Sequence, residues 1–477
     1  MADSVRTKLI HGVVWNFTEK ILVKAVSFAI GVILARLLSP SDYGLMGMMA
    51  IFLSVSSVFI EGGFAKALIQ RQNCQDIDYS TAFVTNVSMS LIIYVVLFFA
   101  APFIATFYEE PILKPLTRVM GLTFVLGSFN IVQRAKLMKN VDFKSLAQIN
   151  VLSILVTGAI GIGMAYQGFG VWALVGQAIG QTLFLLLIFP FYSKWKPSLR
   201  FSKESFSHLF GFGSKLMITE VYSVIFNNIA TMSIGKVYKS KELGYYTRGS
   251  QFSDLIAFTI NDVLGTVTFP VLSGLQDDKE HMVTVYRKTL FVIAMVIFPV
   301  MVLCALLAYP LVLLLLTEKW LPAVVLMQWL CLARMFMPLS ALNMNILNAI
   351  GRSDLFMKLD FAKAPLTILI LSITIPIGVK AIVIGTFVES LLCFFINAYL
   401  PGRMFGYGAL KQLKDWRYIF LSIVMMVITV FAFLQITDNA WLQLLVGGTI
   451  GIVVYIVCCY FFKVIDDDML RLLKIKR

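Results

Sequence analysis

Charge is scarce in this chain. Of its 477 residues only 14% are Asp, Glu, Lys or Arg, where soluble domains carry about a quarter. Histidine is scarcer still. The three present, His11, His208 and His281, fall near the ends of expected helices, and their placement excludes a zinc-protease type of metal motif. The six cysteines (Cys74, Cys304, Cys331, Cys393, Cys458 and Cys459) show no metal-ligand spacing. All but Cys74 sit in apolar runs and read as small core residues rather than disulfides or ligands. Long polar stretches are also missing. No loop between apolar runs exceeds about 20 residues, too short for a soluble catalytic domain of about 50 or more. The expectation is a protein that is not an enzyme and that carries no resident metal or organic cofactor.

What is abundant is apolar surface: 59% of the residues are hydrophobic and the mean hydropathy is +0.85. About 20 apolar residues cross a bilayer. Runs of that kind occur at 12–38, 43–69, 80–107, 112–135, 145–166 and 169–192, then at 206–236, 246–272, 286–309, 321–350, 355–376 and 379–401, and finally at 418–436 and 441–463. The span 246–272 is the least hydrophobic. The fold class expected is an all-α polytopic membrane protein of about 14 transmembrane helices. It comprises a six-helix bundle over 1–200, a second over 201–402, and a basic linker with two extra helices over 403–477. Equivalent helices of the two bundles point the same way, so their pseudo-two-fold axis runs along the membrane normal.

The net charge of +14 invites a nucleic-acid reading, but most of the Lys and Arg lie in loops on one side. The clusters are 134–144, 194–203, 403–417 and 463–477. The positive-inside rule explains them and places both termini in the cytoplasm. Lys236, Lys239, Lys241 and Arg248 break the pattern by landing outside. The N-terminal MADSVRTKLIHG is short and basic, but charges follow it and no small-residue cleavage site does. It is expected to be retained as part of the first helix.

That first helix, Gly12 to Leu38, carries Glu19, Lys20 and Lys24. A mid-membrane Lys costs about 2.5–3.5 kcal/mol, and each Leu, Ile, Val or Phe returns only about 0.3–0.6. Lys20, Lys24, Ser27 and Gly31 share one helical face, which reads as the lining of a polar cavity. The pattern recurs 200 residues later. LARLLSPSDYG (34–44) aligns with IGKVYKSKELG (234–244), matching a basic residue, an acid and a glycine in register. At the same offset Lys215, Glu220 and Asn261 answer Trp15, Lys20 and Glu61, and at an offset of 208 GVWALV (170–175) answers GVKAIV (378–383). An internal duplication of this kind is a plan of secondary transporters, whose substrates bind at the repeat interface.

The motifs LARLLSPSDYGLMG (34–47), GGFAKALIQRQ (62–72), LMKNVDFKSLA (137–147), GFGVWALVGQ (168–177), NIATMSIGKVYKSKELGYY (228–246), FPVLSGLQ (269–276), TEKW (317–320) and LNAIGRSD (347–354) cover nearly the whole chain. In that order they resemble the polysaccharide and lipopolysaccharide flippases of the multidrug/oligosaccharidyl-lipid/polysaccharide superfamily, the O-antigen, colanic-acid and teichuronic-acid exporter type. The resemblance implies alternating-access export of an undecaprenyl-pyrophosphate-linked oligosaccharide across the bacterial inner membrane. It also implies contact with membrane lipids and with polysaccharide assembly machinery. Relatives often carry Asp where this chain has Ala230, so no role of that carboxylate carries over.

A pyrophosphate ligand suits cavity cations, because charge-assisted hydrogen bonds strengthen where water is excluded. The substrate-binding candidates are Lys20 and Lys24, then Arg334, Lys215 and Asn345. Arg334 shares a helical stripe with Pro338, Ala341, Asn345 and Asn348. The competing role for these cations is to pair with acids and hold the bundle together. The acids Glu61, Glu220, Asp254 and Glu389 are candidates for coupling to H⁺ or Na⁺, against simple charge balance for nearby lysines. Two other readings stand beside the flippase. One is a cation-coupled multidrug exporter of the same superfamily, which would favour an acidic, aromatic-lined cavity. The other is a membrane glycan polymerase or ligase, which would need the long external loop this chain lacks.

Overall fold

The computed structural model describes residues 22–464 except 62–63, 65–66, 69–73, 141 and 194. Among the described residues there are helices and no strands. Ten helices are long and apolar enough to cross a membrane, again among the described residues.

Helix α1 covers 22–37. It is followed by α2 (Pro40–Glu61), α3 (Asp76–Tyr108), α4 (Leu113–Lys139), α5 (Phe143–Tyr166), α6 (Val171–Ser193) and the long α7 (Lys203–Ser273). Next come α8 (Lys279–Leu306), α9 (Ala308–Leu316), α10 (Ala323–Arg334), α11 (Met337–Ala349), α12 (Ser353–Thr374) and α13 (Val379–Phe405). The short α14 (Ala409–Asp415) and α15 (Arg417–Leu434) precede α16 (Ala440–Phe461), which contains a π-helical turn at Gln443–Gly447. Helices α10 and α11 form one span, Ala323–Ala349.

Four of the expected spans are not among the ten: α1, both arms of α7, and α12. Each is helical but short in its described part or charged. Helix α12, for instance, carries Asp354, Lys358, Asp360 and Lys363.

A loop is expected over 237–245, and the structure has none. One residue, Lys239 at φ 67° and ψ −179°, breaks the helix, which resumes at once. That backbone region is nearly reserved for glycine and costs a lysine about 1–3 kcal/mol.

Contacts divide the chain into two units, Met1–Gly244 and Tyr245–Arg477. In the first, Ile30, Leu34 and Leu38 bury against Ile154, Ala165 and Ala173 and fix α1 to α5 and α6. A second core of Phe64, Leu68, Tyr79, Phe83, Val132, Trp195 and Leu209 joins α3 and α4 to the opening of α7. The linker after α6 is pinned as well. The Ser202 amide donates to Thr81 Oγ1 at 3.0 Å, and the Ser205 hydroxyl donates to the buried Asp78 carboxylate at 2.7 Å.

In the second unit, Phe298, Phe336, Phe394 and Trp416 pack with ring centroids 5.6–5.8 Å apart. Lipid is as apolar as leucine, so such contacts hold helices together by dispersion and geometry rather than by a hydrophobic drive. Buried hydrogen bonds add to them. Tyr286 donates to Asn343, and the amide of Gln412, fully buried on α14, donates to Asn343 at 3.1 Å. The basic linker before α15 is thereby seated on α8 and α11. Tyr455 donates to the Met295 carbonyl at 2.7 Å and ties α16 to α8.

The outward faces are apolar. On α3, Ile92, Val96, Phe99 and Phe103 are 59%, 60%, 68% and 77% exposed, at i, i+4, i+7 and i+11. A continuous stripe of that kind is a face for lipid rather than water.

Candidate functional site

Helix α10 ends at Arg334 because Pro338 cannot extend it. The proline ring lacks an N–H and clashes with the carbonyl four residues back, that of Arg334 itself. The chain breaks at Met335–Phe336 and restarts as α11. Arg334 thus sits in the last helical turn, where the helix dipole favours a cation. Its Nε donates to Asp254 Oδ1 on the second arm of α7 at 2.6 Å, with both side chains about three-quarters buried. Ser250, one turn earlier, donates its hydroxyl to the other oxygen of the same carboxylate.

A second acid joins the group. Glu389 on α13 accepts from the Thr367 hydroxyl of α12 and lies within electrostatic reach of both Arg334 and Lys363. Lys363 in turn pairs with Asp360 one turn away at 2.5 Å. Two cations and three acids are therefore gathered among α7, α10, α12 and α13. Removing one partner of the largely buried Arg334–Asp254 pair leaves an uncompensated charge, at about 3–5 kcal/mol. Among the described residues, no group of three or more His, Cys, Asp or Glu side chains is arranged to hold a metal ion.

The sequence candidates distribute as follows. Arg334, Asp254 and Glu389 come together in the second unit. Asn345 is half-buried one helix further on, next to the buried Asn343. Lys24 on α1 and Glu220 on α7 are half-buried in the first unit, each with an interaction of its own. Lys20 and the side chains of Lys215 and Glu61 lie outside what the structure describes.

Sequence reasoning missed Ser250, Thr367 and Asp360. The Asp360–Lys363 pair was readable as an i, i+3 pair on one helix. The other two were not, since nothing in the chain signals which distant helix a hydroxyl faces. Three of the four cations that break the one-sided charge pattern have partners here. Lys236 and Lys239 both bond Glu109. Arg248, only 5% exposed, donates to Gln251 and lies 5.9 Å from the Trp320 ring.

Comparison with known proteins gives a consistent picture. The chain is 23% identical over 399 residues to the lipopolysaccharide biosynthesis protein WzxC of Escherichia coli (strain K12), covering 83% of this chain and 80% of that one. It is 22% identical over 354 residues to the teichuronic acid biosynthesis protein TuaB of Bacillus subtilis (strain 168), covering 74% and 73%. Its fold is similar to that of the lipid II flippase MurJ in an inward closed conformation, with a TM-score of 0.74 at 17% identity over 95% of this chain and 98% of that one. Residues 33–325, well over half the chain, match the family model described as polysaccharide biosynthesis protein, and the chain belongs to that family of multi-pass membrane proteins.

Proposed function

We propose that this protein is a flippase that moves an undecaprenyl-pyrophosphate-linked oligosaccharide across the bacterial inner membrane for cell-surface polysaccharide assembly. It works by alternating access, as a transporter and not as an enzyme. Support comes from family membership, from relatives named for polysaccharide biosynthesis, and from a fold shared with a lipid II flippase. The observation that carries the chemistry is the Arg334–Asp254 pair with Glu389 beside it, gathered among α7, α10 and α13 of a predominantly apolar chain.

In this reading the repeats over 1–200 and 201–402 rock against each other, 403–477 steadies the second, and both termini are cytoplasmic. The prenyl tail stays in lipid, and only the pyrophosphate and sugars enter the polar interior. Arg334 is neutralised by Asp254 when the site is empty. A pyrophosphate offers more acceptor oxygens than one carboxylate and draws the guanidinium away. Asp254, released, then takes up H⁺ or Na⁺, which links cargo to ion. Within the first unit, Lys20, Lys24 and Lys215 attract anionic headgroups and Glu61 and Glu220 balance them; within the second, Asn345 contributes hydrogen bonds to sugar. Ligand binding shifts such an equilibrium only through contacts made unequally in the two states, and exchange of Asp254 for phosphate is one such contact. Handover of the exported unit to assembly machinery on the far side completes the cycle.

The test in cells is the lipid-linked intermediate. Deleting the gene should leave undecaprenyl-linked repeat units on the cytoplasmic side, the intact gene should clear them, and Arg334→Gln should not. Repeat units accumulating unpolymerised on the outer face would contradict export by this chain.

A further inference from the structure

The repeat at offset 200 meets itself in the first unit. Gly44, in the opening turn of α2, lies so close to residue 240 that a Cβ built on it would be 1.7 Å from the Ser240 carbonyl oxygen. Gly244, its repeat mate, stands in the same relation to residue 40, where a Cβ would be 1.8 Å from the Pro40 carbonyl oxygen. Each glycine therefore seats on the carbonyl that is the repeat counterpart of the one its partner seats on. The two helix openings cross backbone to backbone, with no flexible side chain between them to yield.

The surroundings brace this crossing. Glu109, in the left-handed region at φ 58°, accepts from Lys239 Nζ at 2.6 Å and from Lys236 Nζ at 3.2 Å. The Ser240 hydroxyl donates to Glu110 at 3.0 Å. Asp42 caps α2, accepting from the amide and hydroxyl of Ser39 at 2.8 and 2.7 Å. Beneath, a Cβ built on Gly235 would lie 3.1 Å from the side chains of Met48, Tyr108 and Leu243, so this glycine too is closely packed. The strained backbone of Lys239 lies in the middle of this construction, where surrounding contacts over-determine it.

We propose that the reciprocal Gly44–Ser240 and Gly244–Pro40 contacts, locked by Glu109 on Lys236 and Lys239, are the positioning contacts that shut the transporter at its outer face. This rests on the flippase reading, which puts the α1–α2, α3–α4 and mid-α7 turns outside. First-repeat residues (40–44, 109–110) and second-repeat residues (236–244) must separate here for cargo to leave. The contact is all-or-none, because a backbone crossing with no intervening side chain either fits or does not. A single methyl at either glycine is enough to hold it apart.

The test uses a cysteine-free chain carrying Ser240→Cys in cells, reacted with a membrane-impermeant maleimide from outside. Gly44→Ala and Gly244→Ala should each raise the labelling rate about tenfold or more, the population shift expected when one methyl is forced into a filled contact. Glu109→Gln, which loosens the brace and leaves the crossing intact, should raise it by a smaller factor. Melting of the purified variants in detergent distinguishes opening from unfolding. Labelling that stays at the parental rate in both glycine variants, with melting unchanged, would overturn the gate, and so would labelling from the cytoplasmic side alone. The assay contains no lipid-linked sugar, so a labelling response in a chain that flips nothing would keep the gate and remove the flippase reading.

Discussion

Asp254 and Arg334 lie 80 residues apart in the chain and meet at 2.6 Å. At that burial each charge is tolerable only because the other is present. Asp254→Asn and Arg334→Gln should each lower stability in detergent by about 3–5 kcal/mol, and the double variant should lose far less than the sum. A double-mutant cycle on melting or denaturant midpoints measures this, and additive losses would mean the pair is not coupled. Glu109 offers a pH handle of known sign. The hydrogen bond from Lys239, then that from Lys236, holds its carboxyl below the usual range. Its contribution is therefore complete above the ordinary carboxylate pKa and disappears as pH falls through the depressed one. The melting difference between the parent and Glu109→Gln should shrink toward zero as pH falls below the ordinary carboxylate range. A difference that persists to the acid end would mean the bond to Lys239 is not the stabilising contact.

At the scale of elements, the break in α7 isolates backbone strain from side-chain bonding. Lys239→Gly and Lys239→Ala both lose the bond to Glu109, but only glycine is at ease at φ 67°. The glycine variant should be the more stable of the two by about 1 kcal/mol, and equal melting would show that the backbone there relaxes freely. This break was hidden in the sequence. Lys-Ser-Lys carries no glycine or proline to announce a one-residue turn, and the apolar pattern on either side suggested two helices joined by a loop. The helices themselves were plain, because twenty apolar residues leave few alternatives. So was the 200-residue repeat, whose paired glycines turned out to touch each other's counterpart carbonyls. The partners of Arg334 were not plain, since helical spacing orders residues within one helix and is silent about which helix lies opposite. The stripe joining Arg334 to Asn345 is interrupted by the Pro338 break, which periodicity alone passes over.

At the scale of the whole molecule, charge is scarce, and inside the second unit Arg334 and Asp254 are paired with each other. A bundle that only had to span the membrane would gain by replacing Asp254, Arg334 and Glu389 with well-packed apolar residues. Their retention inside the second unit fits a protein whose interior must release and recapture an anion.

The most direct measurement is transbilayer movement of a fluorescent undecaprenyl-pyrophosphate oligosaccharide in proteoliposomes. It compares the parent with Arg334→Gln and Lys24→Ala at matched incorporation and at a temperature below the melting transition of each. The account predicts rapid flipping by the parent and a fall of about tenfold or more when Arg334 is lost, with a smaller fall for Lys24, in line with the loss of one charged hydrogen-bond donor. Flipping by Arg334→Gln at the parental rate would contradict the role given to the Arg334–Asp254 pair, and a parent that moves no such lipid would contradict the function itself.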